Sequence, residues 1–207
     1  MISVDMFSLW SNQADEIVKG VTEATNNIIS YRNTIQVSKR MFNQLFEDIK
    51  EICGFWTGRT YVGVPKNDKV KDAFQLFYKE LLKLLVNMKE SKRYFERKIA
   101  NEMLYRGTVY RYLGHTYPTD KVVEPIYDNI FVSWSKRPSN SYLSNKLCGT
   151  VTFITCEISE PLYGIDIDAI GCSKGDEHEV VFPTIKECIE EIRYTKEKEE
   201  NEDDVQT

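Results

Sequence analysis

Apolar positions recur with a helical period through the first half of the chain and with a strand period through the second. Ile17, Val21, Ala24 and Ile28 fall on one side of a helix drawn from Asp15 to Tyr31. Met41, Phe42, Leu45, Phe46, Ile49 and Ile52 repeat that spacing from Ser38 to Cys53, and Gly54 and Gly58 read as the stop. The strongest stripe is Val70, Phe74, Phe77, Leu81, Leu84 and Met88, which alternates steps of four and three and runs on through Tyr94 and Ile99. Leu82, Leu85 and Val86 widen it, which predicts burial on more than one face. This is the pattern of one long helix inside a compact bundle rather than of a coiled coil.

Near Glu102 the rhythm changes. MLYRGTVYRYL is rich in β-formers, as are YDNIFVSWS (127–135) and GTVTFITCE (149–157). LYGIDIDAI (162–170) alternates apolar and acidic residues, the mark of a half-buried strand, and Glu179 to Phe182 gives a last short one. TYVGV, between Gly58 and Pro65, reads as a short strand or loop. Thr184 to Tyr194 reads as a helix. Helices followed by strands predict an α+β protein with segregated elements.

A length of 207 residues fits one generous domain, or a small domain with an appendage. The 42% apolar content supports a real core, and a net charge of -5 argues against a chain-wide polyanion-binding surface. Much of the acid lies in the run from Glu197 to Asp204, which repels itself, buries nothing and is expected to be disordered. Five cysteines, an odd number with no C-x-x-C pair, read as reduced thiols of a cytoplasmic protein, and the first ten residues lack a leader pattern. Two histidines, His115 and His178, without ligand-spaced partners predict no metal site. No apolar run is long enough to span a membrane, and neither of the common glycine-rich phosphate loops occurs.

Candidate chemistry gathers in the second half. GDEHEVVFP places Glu177 and Glu179 two residues apart at the start of a strand; on an extended backbone both would face one side. Alone, this is a charged turn before an edge strand. Arg106 alone is a surface arginine with Arg111 as its competitor, and Ser133 and Ser135 alone are strand-end hydroxyls.

Taken in order, LYRG, FVSWSK, GIDIDAI and DEHEVVFP resemble the Arg-Ser-Glu class of mono-ADP-ribosyltransferases, which includes bacterial toxins and phage-encoded enzymes. The resemblance covers roughly Leu104 to Pro183. It implies a split β-sandwich core over 101–194 with NAD in a cleft between two sheets. A helical region over 1–100 would pack on its flank, with an acidic tail over 195–207. It implies that Glu179 steadies the cation that develops on the ribose as nicotinamide leaves. Ser133 would orient Glu179 and the ribose, and Ser135 would join it at NAD. Arg106 would hold the pyrophosphate with its planar fork, and Gly107 would let the backbone approach the nicotinamide amide. Glu177 would contact the acceptor and goes with arginine modification.

Two positions depart from the family pattern. Trp134 stands where a middle hydroxyl is usual, and GCSKGDE lacks the aromatic that many arginine-directed members carry. The acceptor therefore stays open between protein arginine, taken first, and a nucleic-acid base; with water alone the protein would be an NAD glycohydrolase. An inhibitory protein partner fits a toxin of this kind. His115 keeps a minor rival open, a His-first class of the same superfamily. The non-enzymatic alternative is a protein-interaction module, as an antitoxin or adaptor would be.

Overall fold

The computed structural model describes residues 3–59, 68–113, 132–138, 151–172, 178–183 and 185–195. Among them are four α-helices, α1 (Ser3–Arg32), α2 (Lys39–Arg59), α3 (Asp68–Lys89) and α4 (Tyr94–Met103). One antiparallel sheet follows, built from β1 (Leu104–Tyr105), β2 (Gly107–Leu113), β3 (Val132–Ser135), β4 (Val151–Ile158), β5 (Gly164–Asp166), β6 (Glu179–Phe182) and β7 (Ile189–Thr195). Its strand order is β1-β5-β6-β3-β2-β4-β7. The chain is thus mixed α+β. The TYVGV segment and the acidic tail lie outside the described residues.

The helices form as their stripes require, with three adjustments. Every residue of the Val70–Met88 stripe is buried, whereas Val86 faces out. α2 runs through Gly54 and Gly58 to Arg59, because single glycines weaken a helix without ending it. The long third helix is in fact two: the chain leaves α3 after Lys89 and restarts at Tyr94. At the break the Arg93 amide donates to Ser91 Oγ at 3.1 Å, and Arg97 Nη1 donates to the Ser91 carbonyl at 2.7 Å. A polar residue that satisfies nearby donors in a turn competes with helical pairing there. Tyr31 on α1 donates to Glu96 Oε1 on α4 at 2.6 Å, a buried tie between the first and last helices.

The expected helix over 184–194 is instead a single 3-10 turn, Lys186–Cys188, followed by β7. Ile185, Cys188, Ile189 and Ile192 mimic a helical stripe. In the pairing with β4, however, Ile192 stands opposite Ile154 and Ile189 opposite Cys156, so Glu190 is an extra residue. This bulge lets two isoleucines three apart face the same side of a sheet.

Two apolar clusters result. In the first, α1 to α4 pack on Ile165, Ile167, Ile170 and Val181. The second holds Val109, Trp134, Ile154, Cys156, Ile158, Val180 and Phe182, with no buried helical residue in it. These side chains come from β2, β3, β4 and β6 on one face of the sheet, so the sheet must curl over itself to enclose them. Trp134 anchors that cluster, with its indole N–H donating to the Phe182 carbonyl at 3.2 Å. Trp134→Ala should cost about 3–5 kcal/mol of stability in urea unfolding; a loss below about 1 kcal/mol would mean that the curl encloses no packed core.

Candidate functional site

β3 and β6 bring the expected hydroxyls and Glu179 together. The register pairs Ser135 with Glu179 and Ser133 with Val181. Directly opposed residues of an antiparallel pair share a face, and so do residues two apart on one strand. Ser133, Ser135 and Glu179 therefore lie on one face, while Trp134, Val180 and Phe182 fill the other. The Lys136 amide donates to the His178 carbonyl at 3.0 Å. That bond makes Ser135 and Glu179 a pair of the non-hydrogen-bonded kind, in which opposed side chains are nearest. Ser135, not Ser133, is thus the hydroxyl across from Glu179. Ser135 Oγ accepts the Arg137 amide at 3.1 Å, which leaves its O–H to donate.

The same row continues through the sheet. Tyr110 pairs with Ser135, and Thr155 pairs with Tyr110. Thr155, Tyr110, Ser135 and Glu179 consequently line up across four adjacent strands on one face. Phe153, two residues from Thr155, stacks on Tyr110 with ring centroids 5.8 Å apart. Thr108 Oγ1 donates to Glu157 Oε2 at 2.7 Å on that face. Tyr110 and Thr155 were not singled out in the sequence. Their only signal was the alternation of GTVYRYL against VTFITCEI, and the partner strand that aligns them is fixed by the register.

Glu179 is only 3% exposed. Val181 on the same face already belongs to the helix-covered cluster, so the Glu179 end of the row runs beneath the helices. Burial pushes the Cys53 thiol of α2 up, and the charges of Cys172 and Glu179 add to this. The Glu179 carbonyl accepts both the Ile167 amide (3.1 Å) and the Asp168 amide (3.3 Å).

The backbone at the start of β6 is not extended as the Glu-x-Glu argument assumed. His178 has φ 47, a left-handed conformation in which residue alternation no longer holds. The shared-face inference for Glu177 and Glu179 therefore fails at His178, and Glu177 itself lies outside the described residues.

His178 belongs to a charged cluster at the ends of β3, β5 and β6. Its Nδ1 lies 3.0 Å from Asp168 Oδ2. Lys136 Nζ bridges Asp166 Oδ2 at 2.8 Å and Asp168 Oδ2 at 3.1 Å. Burial by itself would lower the Lys136 ammonium, but its bonds to the two carboxylates outweigh this and raise it. Burial would likewise raise Asp168, yet the bonds from His178 and Lys136 hold its carboxyl below the usual value.

Arg106 and Gly107 sit apart from this row, at the kink where the chain leaves β1 and joins β2. Gly107 has φ 129, a conformation that glycine adopts and side chains resist, so the kink supplies its local reason. Arg106 Nε donates to the Leu162 carbonyl at 3.1 Å, its Nη1 pairs with Glu160, and its guanidinium covers the Tyr163 ring at 3.9 Å. Arg111, the competing arginine, donates through Nη1 to the Ser133 carbonyl at 3.0 Å, on the strand that carries the hydroxyls. His115 lies outside the described residues. Among the described residues no His, Cys, Asp and Glu side chains form a group able to hold a metal, and no helix is long and apolar enough to cross a membrane. No protein-family model, curated protein or solved structure matches the chain.

The charged cluster has a testable consequence. Asp168 has its ionised form favoured by folding, so its contribution is present above the ordinary aspartate value and is lost as pH falls below about 4. Lys136→Met leaves two carboxylates without their shared cation. It should cost about 2–3 kcal/mol near neutral pH and flatten the acid loss of stability, because the Asp168 carboxyl is no longer held down by the cation and protonation relieves the two carboxylates. Urea unfolding across pH 3–7 checks both; an unchanged profile would mean that solvent, not Lys136, satisfies the two aspartates.

Proposed function

We propose that the protein cleaves NAD between nicotinamide and ribose and transfers ADP-ribose to a macromolecular acceptor, with protein arginine the first to test. The observation that carries this reading is the direct register of Ser135 against Glu179, with Ser133 two residues away on the same face. A hydroxyl beside an enclosed carboxylate suits a site that orients a ribose and stabilises positive charge on its anomeric carbon. Stabilisation of that kind is strongest where water is excluded. The Ser135 O–H would donate to Glu179 or to the ribose, and Glu179 would accept a ribose hydroxyl.

Arg106 suits the pyrophosphate. Its Nη2 has no hydrogen-bond partner among the described residues. Glu160, which holds Nη1, is 82% exposed, and so exposed an ion pair is worth about 0–1 kcal/mol, little enough for a phosphate to displace.

A second reading draws on the burial of Glu179. A carboxylate 3% exposed also fits a structural polar seam, in which case the chain is a protein-interaction module and binds no NAD.

Nicotinamide release from labelled NAD separates the two. Wild type should release it, and Glu179→Gln should lower the rate about 100-fold or more; equal rates for the two proteins would eliminate the enzyme. Arg106→Ala should weaken NAD binding about 10- to 100-fold, the worth of a charge-assisted bond. A dissociation constant unchanged in calorimetry would move the phosphate contact to another residue, Arg111 first.

A further inference from the structure

Two thiols meet where β7 joins the sheet, away from the row that ends at Glu179. Cys156 stands on β4 with Val109 of β2 on one side and Ile189 of β7 on the other. It is buried in the apolar cluster around Trp134. Cys188 comes directly before Ile189, at the end of the 3-10 turn Lys186–Cys188, where its amide donates to the Ile185 carbonyl at 3.0 Å. On a regular strand, Cys188 and Ile189 would take opposite faces. The turn instead lets both pack against the cluster that holds Cys156.

Cys188 is one residue from the direct partner of Cys156, which puts their α-carbons about 6 Å apart. A disulfide spans α-carbons about 4.4–6.8 Å apart. The side chains also meet, for the Cys156 S–H donates to the Cys188 sulfur. Both cysteines are free, Cys156 buried and Cys188 half-buried. Burial pushes the Cys156 thiol up to about 12. Burial and Glu187 raise Cys188 as well, and the bond from Cys156 draws it partly back. Cys188 is therefore the sulfur that an oxidant reaches first, with Cys156 held behind it.

We propose that Cys156 and Cys188 are a redox-responsive pair that closes to a disulfide on exposure to a low-molecular-weight disulfide. The Cys188 thiolate attacks one sulfur of that oxidant, and the other sulfur leaves as a thiolate. Cys156 gives its proton to the departing thiolate and attacks Cys188 Sγ. The bond from Cys188 to the small thiol then breaks, and that thiol leaves in turn. Two protein thiols are oxidised, and one small disulfide is reduced to two thiols. The new bond ties down β7, which lies at one end of the strand order and pairs with β4 alone. It does so at the bulge, where that pairing is irregular. This role is independent of NAD cleavage.

The test treats the folded chain with oxidised glutathione, removes the reagent and counts the remaining thiols. Peptide mapping by mass spectrometry then locates any bond. Wild type should lose two of its five thiols and yield one crosslinked peptide pair that contains Cys156 and Cys188. Its urea midpoint should rise on oxidation and return on reduction, because the crosslink restricts the unfolded chain. Cys188→Ser should leave Cys156 reduced and show no rise. Cys156→Ala should take up one glutathione at Cys188 and stop there. A wild type that also stops at glutathione on Cys188 would overturn the proposal, since Cys156 would then be out of reach. So would a wild type in which both thiols stay free, or one in which Cys156 bonds to another cysteine. A bond that forms between the two yet lowers the urea midpoint sinks its role in holding β7.

Discussion

The pairing of β3 with β6 is the constraint on which the rest of the molecule depends. Four residues on each strand are matched, from Val132 opposite Phe182 to Ser135 opposite Glu179. Because side chains alternate across a strand, that one register sorts two kinds of residue at once. Trp134, Val180 and Phe182 go to the face around which the sheet curls. Ser133, Ser135, Glu179 and Val181 go to the other, where Val181 meets the helices. A slip of one residue would bury hydroxyls in the curl and turn Trp134 toward the helices. The apolar packing of Trp134 therefore also fixes the position of Glu179, although the two side chains point opposite ways.

Much of the helical half was legible because burial there follows one rule. The stripe from Val70 to Met88 is one face of one helix, and its spacing states which residues face the core. The stop after Lys89 was not legible, since the apolar pattern resumes at Tyr94 and the break is made by Ser91 and Arg97 bonding locally. β7 was misread for a related reason. Ile189 and Ile192 have helical spacing, and only pairing with β4 through a bulge makes that spacing serve a strand. Periodicity reports which residues are buried; it does not report which partner buries them.

The candidate site was legible in parts. SWS and EVVF announced strands that end in polar groups, and both strands form where expected. That the two strands are neighbours is a long-range fact that no local pattern carries. The places of Tyr110 and Thr155 in the same row follow from that neighbour relation and not from their own types. His178 is the opposite case. On an extended backbone a residue between Glu177 and Glu179 points to the other side of the strand from both. The left-handed turn removes the premise and gives the ring a carboxylate partner ten residues upstream.

The enclosure of Glu179 acts on both readings of the chain. Desolvation is costly for a carboxylate, and a structural seam would bear that cost only to satisfy neighbours. For charge stabilisation the same enclosure is an advantage, because a carboxylate shielded from water interacts far more strongly with a cation that forms beside it. What distinguishes the two is a route for the ribose to the carboxylate. The row across the sheet passes from the helix-covered Glu179, through Ser135, to the half-buried Tyr110 and Phe153. A substrate that enters at the aromatic end meets a hydroxyl before it meets the carboxylate. Entry from the opposite side would meet the helices that cover Val181 on the same face. On the transferase reading the geometry favours approach along the row, and the role proposed for Glu179 then depends on the openness of the Tyr110 end more than on the carboxylate's own exposure.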